Sequence, residues 1–199
     1  MTPGGPRLPA GERRAAVLEA ACLAFAQGSY RGTTTAEIGR AAGVSEPILY
    51  RHFSSKRDLY LACLDSSWQT LRRLWDATVA AEPEPSDWVS SMGRAYLAQR
   101  QRIVLVDLWI QSLGEAAEDV VIRKFLRRQI REVHAYVAGT IERAQAAGGL
   151  ARDRDPVAEA WIFLSLGLLA SIDGRLGPLL GDDLERVIRE RRRWMTAGS

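Results

Sequence analysis

The sequence predicts an all-α fold of about nine helices. Apolar residues recur at i, i+3, i+4 and i+7 along nearly the whole chain. No segment keeps the period-two alternation of a half-buried strand, and no Asn-Gly or Asp-Gly hairpin joins two such segments. Capping residues and glycines punctuate the periodic runs where helices should start and stop. With 199 residues, the chain is long enough for one or two domains and a sizeable core.

Residues 1–9 carry Pro, Gly and Arg and no apolar signal core, and read as a loose tail. The first helix runs from about Ala10 to Gln27, with Val17, Leu18, Ala21, Cys22 and Phe25 on one face, and stops at Gly28. Thr34-Thr35-Ala36-Glu37 is a capping box that opens a second helix over 35–42, which stops at Gly43. Ser45 caps a third helix ending near Phe53. Pro47 falls in its first turn, where a missing N–H costs nothing. Ser55-Lys56-Arg57-Asp58 opens a longer helix to about Ala81. The segment EPEPSD at 82–87 reads as a linker. Helices follow over 86–101, 103–114, 117–147, 156–175 and 182–197, with GGLARDRDP breaking the chain before the last pair. The most apolar run, Ala160–Ile172, lies between Glu159 and Asp173. It is shorter than the ~20 apolar residues of a membrane span, so it predicts a buried helix and no membrane association.

Hydrophobic residues at 47% and charged residues at 26% fit a soluble globular protein. Cys22 and Cys63 are isolated, with no C-x-x-C pair or His/Cys cluster, which argues against a disulfide framework or a zinc site. Both are expected as small buried side chains in a reducing cytoplasm. No G-x-S-x-G, H-E-x-x-H, P-loop or paired-carboxylate arrangement occurs, so no catalytic residue, metal or cofactor is assigned. The charge is unevenly placed. Residues 1–60 hold eight basic and five acidic side chains, while 61–199 hold 19 of each. The whole net charge of +3 therefore sits at the N-terminal end, as in a polyanion-binding module joined to a neutral body.

The second and third helices, joined by Gly43-Val44-Ser45, form a helix-turn-helix. In such a unit the second helix enters the major groove and its first residues meet base edges. Leu49 and Phe53, four apart, face inward toward Ile38, Ala42 and Val44, while Glu46, Pro47, Ile48, Arg51 and His52 lie on the other side. An ordinary helical hairpin that never meets DNA has the same spacing, and a helical ligand- or protein-binding module stays open as an alternative on spacing alone.

The stretch TTTAEIGRAAGVSEPILYRHFSSKRDLY resembles the N-terminal signature of the tetracycline-repressor (TetR) family of bacterial transcription regulators. The matching residues are Tyr30, Thr33, Thr34, Ile38, Ala42, Gly43, Val44, Ser45, Leu49, Tyr50, His52, Phe53, Ser55, Lys56 and Leu59, within about residues 12–62. Ser29, Thr35, Gly39, Pro47 and Ile48 depart from the usual form. The resemblance implies that Thr33 or Thr34, Tyr50, His52 and Lys56 hold phosphates, which set register and carry no sequence information. Arg51, Glu46 and Ile48 are the candidates for base reading, with Pro47 able to touch a thymine methyl and Arg40 able to reach backbone or base; Ser45 stands at the start of the reading helix. Tyr50 could instead be a half-buried core tyrosine, and Glu46 could serve only the helix dipole.

The remaining helices carry most of the bulky apolar residues. Aromatic stripes at helical spacing are ordinarily core, but the resemblance implies a cavity for a small effector, for which Trp68, Trp75, Tyr96, Trp109 and Gln111 are the candidates, with no cofactor. It also implies that the last two helices pair with a second copy. Trp161, Leu164, Leu168 and Ile172 make the stripe for that contact. The arginines of the last helix and the row Arg123, Arg127, Arg131 read as solvated faces. The sequence thus predicts a DNA-binding helix-turn-helix domain at 1–54 and an effector-binding and dimerisation domain at 55–199. Together they make a cytoplasmic homodimeric repressor released from double-stranded operator DNA by a small effector, or a ligand-dependent activator of the same fold.

Overall fold

The computed structural model describes residues 9–99, 105–177 and 179–197, and among them the structure is helical throughout, with no strand. The α-helices among these residues are α1 (Ala10–Gln27), α2 (Thr35–Ala41), α3 (Glu46–His52), α4 (Lys56–Ala81), α5 (Trp88–Gln99), α6 (Leu105–Glu118), α7 (Val120–Ala146), α8 (Pro156–Leu176) and α9 (Asp183–Thr196). The predicted tail lies outside the described residues except for Pro9, as does the predicted start of α6 at 103.

The chain forms two compact units: one runs to Ser67 and adds Asp107–Phe125, and the other holds Trp68–Val106 and Leu126–Ser199. In the first unit Val17, Ala21 and Phe25 of α1 are fully buried, as are Ile38, Leu49, Leu59, Tyr60, Cys63, Leu64, Leu108 and Ile122. Phe25 and Tyr60 meet edge to face with centroids 5.0 Å apart, and Tyr30 packs on Tyr60 at 4.7 Å. Cys63 is buried and Cys22 half-buried, and both are free thiols. The start of α4 is capped from both sides: the Ser55 hydroxyl accepts the Asp58 amide at 3.0 Å, and the Asp58 carboxylate accepts the Ser54 amide at 3.0 Å.

The second unit is built on Trp68, Leu71, Trp75, Met92, Tyr96, Val137, Ala138, Ile141, Ala144, Leu150, Ala160 and Met195. The segment read as a linker is ordered: Pro85–Asp87 form a single 3-10 turn. Arg192 of α9 grips Asp87 with two hydrogen bonds of 2.6 and 3.0 Å and holds its carboxyl below the usual carboxylate range. The arginines of α9 are likewise not all solvated. Arg191 pairs with Glu159 of α8, and the Arg154 guanidinium lies 3.8 Å from the centroid of the Trp194 ring.

The largest departure from expectation is α8. Asp155 caps it, accepting the amides of Val157 and Ala158 at 2.8 and 3.3 Å, with Pro156 in its first turn. Among its described residues only Ala160 and Ala170 are buried, while Val157, Trp161, Ile162, Leu168, Ile172 and Leu176 are exposed. The helix predicted to be buried is therefore only partly covered by its own chain, through Ala160, Phe163, Leu164 and Ala170. Its 19-residue window Pro156–Gly174 is also long and apolar enough to cross a membrane by length and composition, which the shorter run counted in the sequence concealed.

Gly39 illustrates how the turn between α2 and α3 is made. A Cβ at this position would lie 2.9 Å from the Val44 carbonyl oxygen, and the Val44 amide already donates to the Gly39 carbonyl at 2.8 Å. The helix propensity lost to glycine, about 1 kcal/mol, is the cost of that close backbone approach. Gly39→Ala should accordingly lower stability by about 1–3 kcal/mol despite the better helix former. Thermal unfolding measures it, and a raised Tm would contradict the assignment.

Candidate nucleic-acid interface

The helix-turn-helix is assembled by local chemistry. Thr34 caps α2: its hydroxyl accepts the Glu37 amide at 3.2 Å, and the Glu37 carboxylate takes the Thr34 amide at 2.7 Å and the Thr34 hydroxyl at 2.8 Å. These bonds hold the Glu37 carboxyl below its ordinary value. The chain then turns at Gly43, whose φ of 68° lies in the left-handed region that a glycine enters without strain. Ser45 is the N-cap residue of α3 with extended backbone, but its side chain makes no capping bond. Pro47 removes one amide that a serine cap would take, and the Ile48 amide turns to the Ser45 carbonyl at 2.9 Å. The predicted serine cap is in this respect corrected, and the Ser45 side chain is left exposed.

A helix of seven residues is marginal alone, so α3 depends on its anchor. Leu49 is fully buried and Phe53 is 2% exposed; the Arg14 guanidinium of α1 sits 4.8 Å over the Phe53 ring. The opposite side presents Pro47, Tyr50 and Arg51 as exposed residues, with Glu46, Ile48 and His52 partly so, and Arg40 of α2 is exposed. Tyr50 is therefore no core residue. Its hydroxyl lies 3.2 Å from the Thr35 hydroxyl, which also bonds the Glu46 carboxylate. A carboxylate can only accept, so the single Thr35 proton goes to Glu46 and Tyr50 donates to Thr35. This buried threonine stands where the family pattern has an apolar residue, and it fixes two side chains of α3 at once. Thr35 was not among the predicted site residues; its place in the sequence pattern was the available signal.

Of the pair Thr33 and Thr34, Thr33 turns inward: it is buried and donates to the Ala24 carbonyl at 3.2 Å, which leaves Thr34 at the surface. Lys56, at the first position of α4, reaches over the Tyr30 ring at 4.9 Å. Burial there pushes its ammonium below the ordinary lysine value.

The other predicted sites separate between the units. Trp68, Trp75 and Tyr96 come together in the core of the second. The rings of Trp68 and Trp75 lie 5.9 Å apart, Trp75 stacks on Tyr136 at 5.7 Å, and the Trp75 indole N–H donates to the Met92 carbonyl at 3.1 Å. The Tyr96 and Ser171 hydroxyls lie 3.1 Å apart. Trp109 and Gln111 belong to the first unit, where the Gln111 amide donates to the Ala26 carbonyl at 3.0 Å. On α8, Trp161, Leu168 and Ile172 are exposed and Leu164 is partly buried; the Trp161 ring stacks on His134 at 4.2 Å.

A capped helix-turn-helix with an anchored second helix and exposed polar and basic side chains defines the chain as a helix-turn-helix DNA-binding protein. Residues 17–63 match the family model for bacterial regulatory proteins of the tetR family. Over 60 residues the chain is 52% identical to the HTH-type transcriptional activator FasR of Mycolicibacterium smegmatis, a match spanning 30% of this chain and 27% of that protein. It is 28% identical to the HTH-type transcriptional regulator TtgR of Pseudomonas putida over 94% of this chain and 90% of TtgR. The fold is like that of a TetR-family regulator from Rhodococcus sp., with a TM-score of 0.82 at 23% identity, covering 94% of this chain and 100% of that one. It is also like that of AibR in complex with isovaleryl coenzyme A and operator DNA, with a TM-score of 0.65 at 20% identity over 92% and 98% of the two chains. These findings together support a TetR-family DNA-binding transcriptional regulator, with residues 17–63 as the part that matches the family model.

The phosphate assignments have a direct check. Tyr50→Phe combined with Lys56→Ala should weaken binding to every DNA sequence alike and reduce the slope of log K against log salt by about one to two. An unchanged slope would remove Lys56 from the phosphate set, and unchanged affinity in Tyr50→Phe alone would remove Tyr50.

Proposed function

We propose that this regulator is a cytoplasmic homodimeric repressor released from a near-palindromic operator by a small, largely apolar effector. The observation that carries the dimer is the uncovered apolar face of α8, with Trp161, Leu168 and Ile172 exposed at 46, 39 and 37%. Contiguous apolar surface of this kind marks an interface. A second copy is the occupant that suits a palindromic site, since a two-fold axis repeats the reading helix. Glu159 of the same helix is bound to Arg191 and the Trp194 indole, which supports packing against protein and not lipid. Residues 1–54 would carry DNA binding, and 55–199 effector binding and dimerisation.

At the operator, Thr34, Tyr50, His52 and Lys56 hold phosphates, with the α4 N-terminus adding its amides. Arg51 reads guanine, and Pro47 and Ile48 touch a thymine methyl. Glu46 is tied to Thr35, so it aims its neighbours as well as being available to a cytosine amine. Trp68, Trp75 and Tyr96 gather in one apolar core, the surroundings that an apolar effector would enter. AibR is bound to isovaleryl coenzyme A, an acyl thioester, in its solved structure, and a ligand with an apolar acyl portion is the class proposed here. An effector shifts the protein only by its differential affinity for the DNA-bound and free states. The name of FasR favours a second reading, an activator of the same fold. Adding acyl compounds to the protein bound to its selected DNA tests the choice: release supports the repressor, and tightening supports the activator.

A further inference from the structure

The C-terminal end of α6 places three carboxylates on basic side chains of the helix-turn-helix unit. Arg31, in the turn between α1 and α2, donates its Nε–H to Glu115 at 3.1 Å and pairs with Glu118 through its terminal Nη2. Arg57, the second residue of α4, pairs with Asp119 at 3.0 Å. Asp119 is itself fixed, because its other oxygen accepts the amides of Val121 and Ile122 at 2.8 and 3.2 Å at the start of α7. Hydrogen bonding to these carboxylates raises both guanidinium groups above their ordinary values and lowers Asp119. Arg31 lies three residues before Thr34, and Arg57 adjoins Lys56, so both flank the phosphate contacts assigned above.

The arginine ends are open to solvent: the Arg31 and Arg57 side chains are 61% and 46% accessible, against 16% and 25% for Glu115 and Asp119. Exposed ion pairs are weak and screened by salt. A phosphate offers a guanidinium a pair of acceptor oxygens as a carboxylate does, and DNA adds counterion release. We propose that Arg31 and Arg57 are further phosphate-binding side chains of the DNA interface, held in reserve by Glu115, Glu118 and Asp119. The proposal rests on the DNA interface described above. In the wild type the three carboxylates compete with phosphate for the two arginines and repel the backbone, and affinity is held below what the basic residues could supply.

The test is a salt series of binding constants on a mixed-sequence duplex long enough for two successive major grooves. Glu115→Gln/Glu118→Gln/Asp119→Asn, in which the amide side chain introduced at position 119 keeps a capping oxygen, should steepen the slope by about one to two and tighten binding at low salt by about tenfold. Arg31→Ala/Arg57→Ala should lower the slope less in the wild type than in the carboxylate-neutral background, where it should abolish the gain. Glu118→Gln alone, at a side chain 67% exposed, is the variant that leaves the fold intact and should give part of the change. An unchanged slope in that variant and the triple variant overturns the proposal. So does a gain that survives loss of both arginines, which would be a general effect of net charge. Failure of the wild type itself to bind the duplex at low salt would instead count against the DNA interface.

Discussion

Leu49→Ala is expected to disable DNA binding while most of the helical signal survives. The side chain is fully buried beneath α3 and packs in the same core as Ile38 and Phe53. Truncating such a leucine costs about 2–5 kcal/mol through lost burial and the cavity left behind. The seven-residue helix has little stability of its own to offset that loss. The second unit has a separate core on α4, α5, α7, α8 and α9, so circular dichroism should retain most of its helicity. Binding to operator and to random DNA should fall together. A variant that binds as wild type would mean that the packing of α3 does not set the interface.

Leu168→Glu with Ile172→Glu is expected to convert the protein to a monomer. Both side chains are exposed in the single chain, so the fold should tolerate the charges, whereas an apolar interface between two copies should not. Two linked reading heads bind with an avidity about 10²–10⁴-fold above one. The monomer should therefore lose operator affinity by a factor of that order while its affinity for a single half-site stays the same. Sedimentation and a half-site titration read the two effects separately. A variant that remains dimeric would place the contact elsewhere.

Much of this was legible in the sequence because it is local. The capping box at Thr34 and Glu37, the stop at Gly43, the tolerance of Pro47 and the inward pair Leu49 and Phe53 follow from spacing within one or two turns of helix. What was not legible depends on pairs distant in the chain. Thr35 and Tyr50 are fifteen residues apart, and Arg31 and Glu118 eighty-seven. The linker at 82–87 has the composition of a loop, and Arg192, 105 residues away, is a partner that ties it down. The hydropathy of α8 called for burial without saying whose surface would supply it; the chain buries little of the helix, and a partner surface is the physical completion. For Gly39 the sequence posed the right question, since helix propensity alone gives no reason for a glycine, and the Val44 carbonyl supplies it.

In the proposed complex, two copies of this chain present α3 to successive major grooves of a particular sequence. Selection of genomic fragments with the purified protein, followed by footprinting of the enriched DNA, measures this directly. The expected result is a protected near-palindrome whose half-site centres lie about 34–36 Å apart along the duplex, or a multiple of it. Absence of any enriched fragment at low salt, with the protein folded and dimeric, would contradict the account and leave the helix-turn-helix as scaffold.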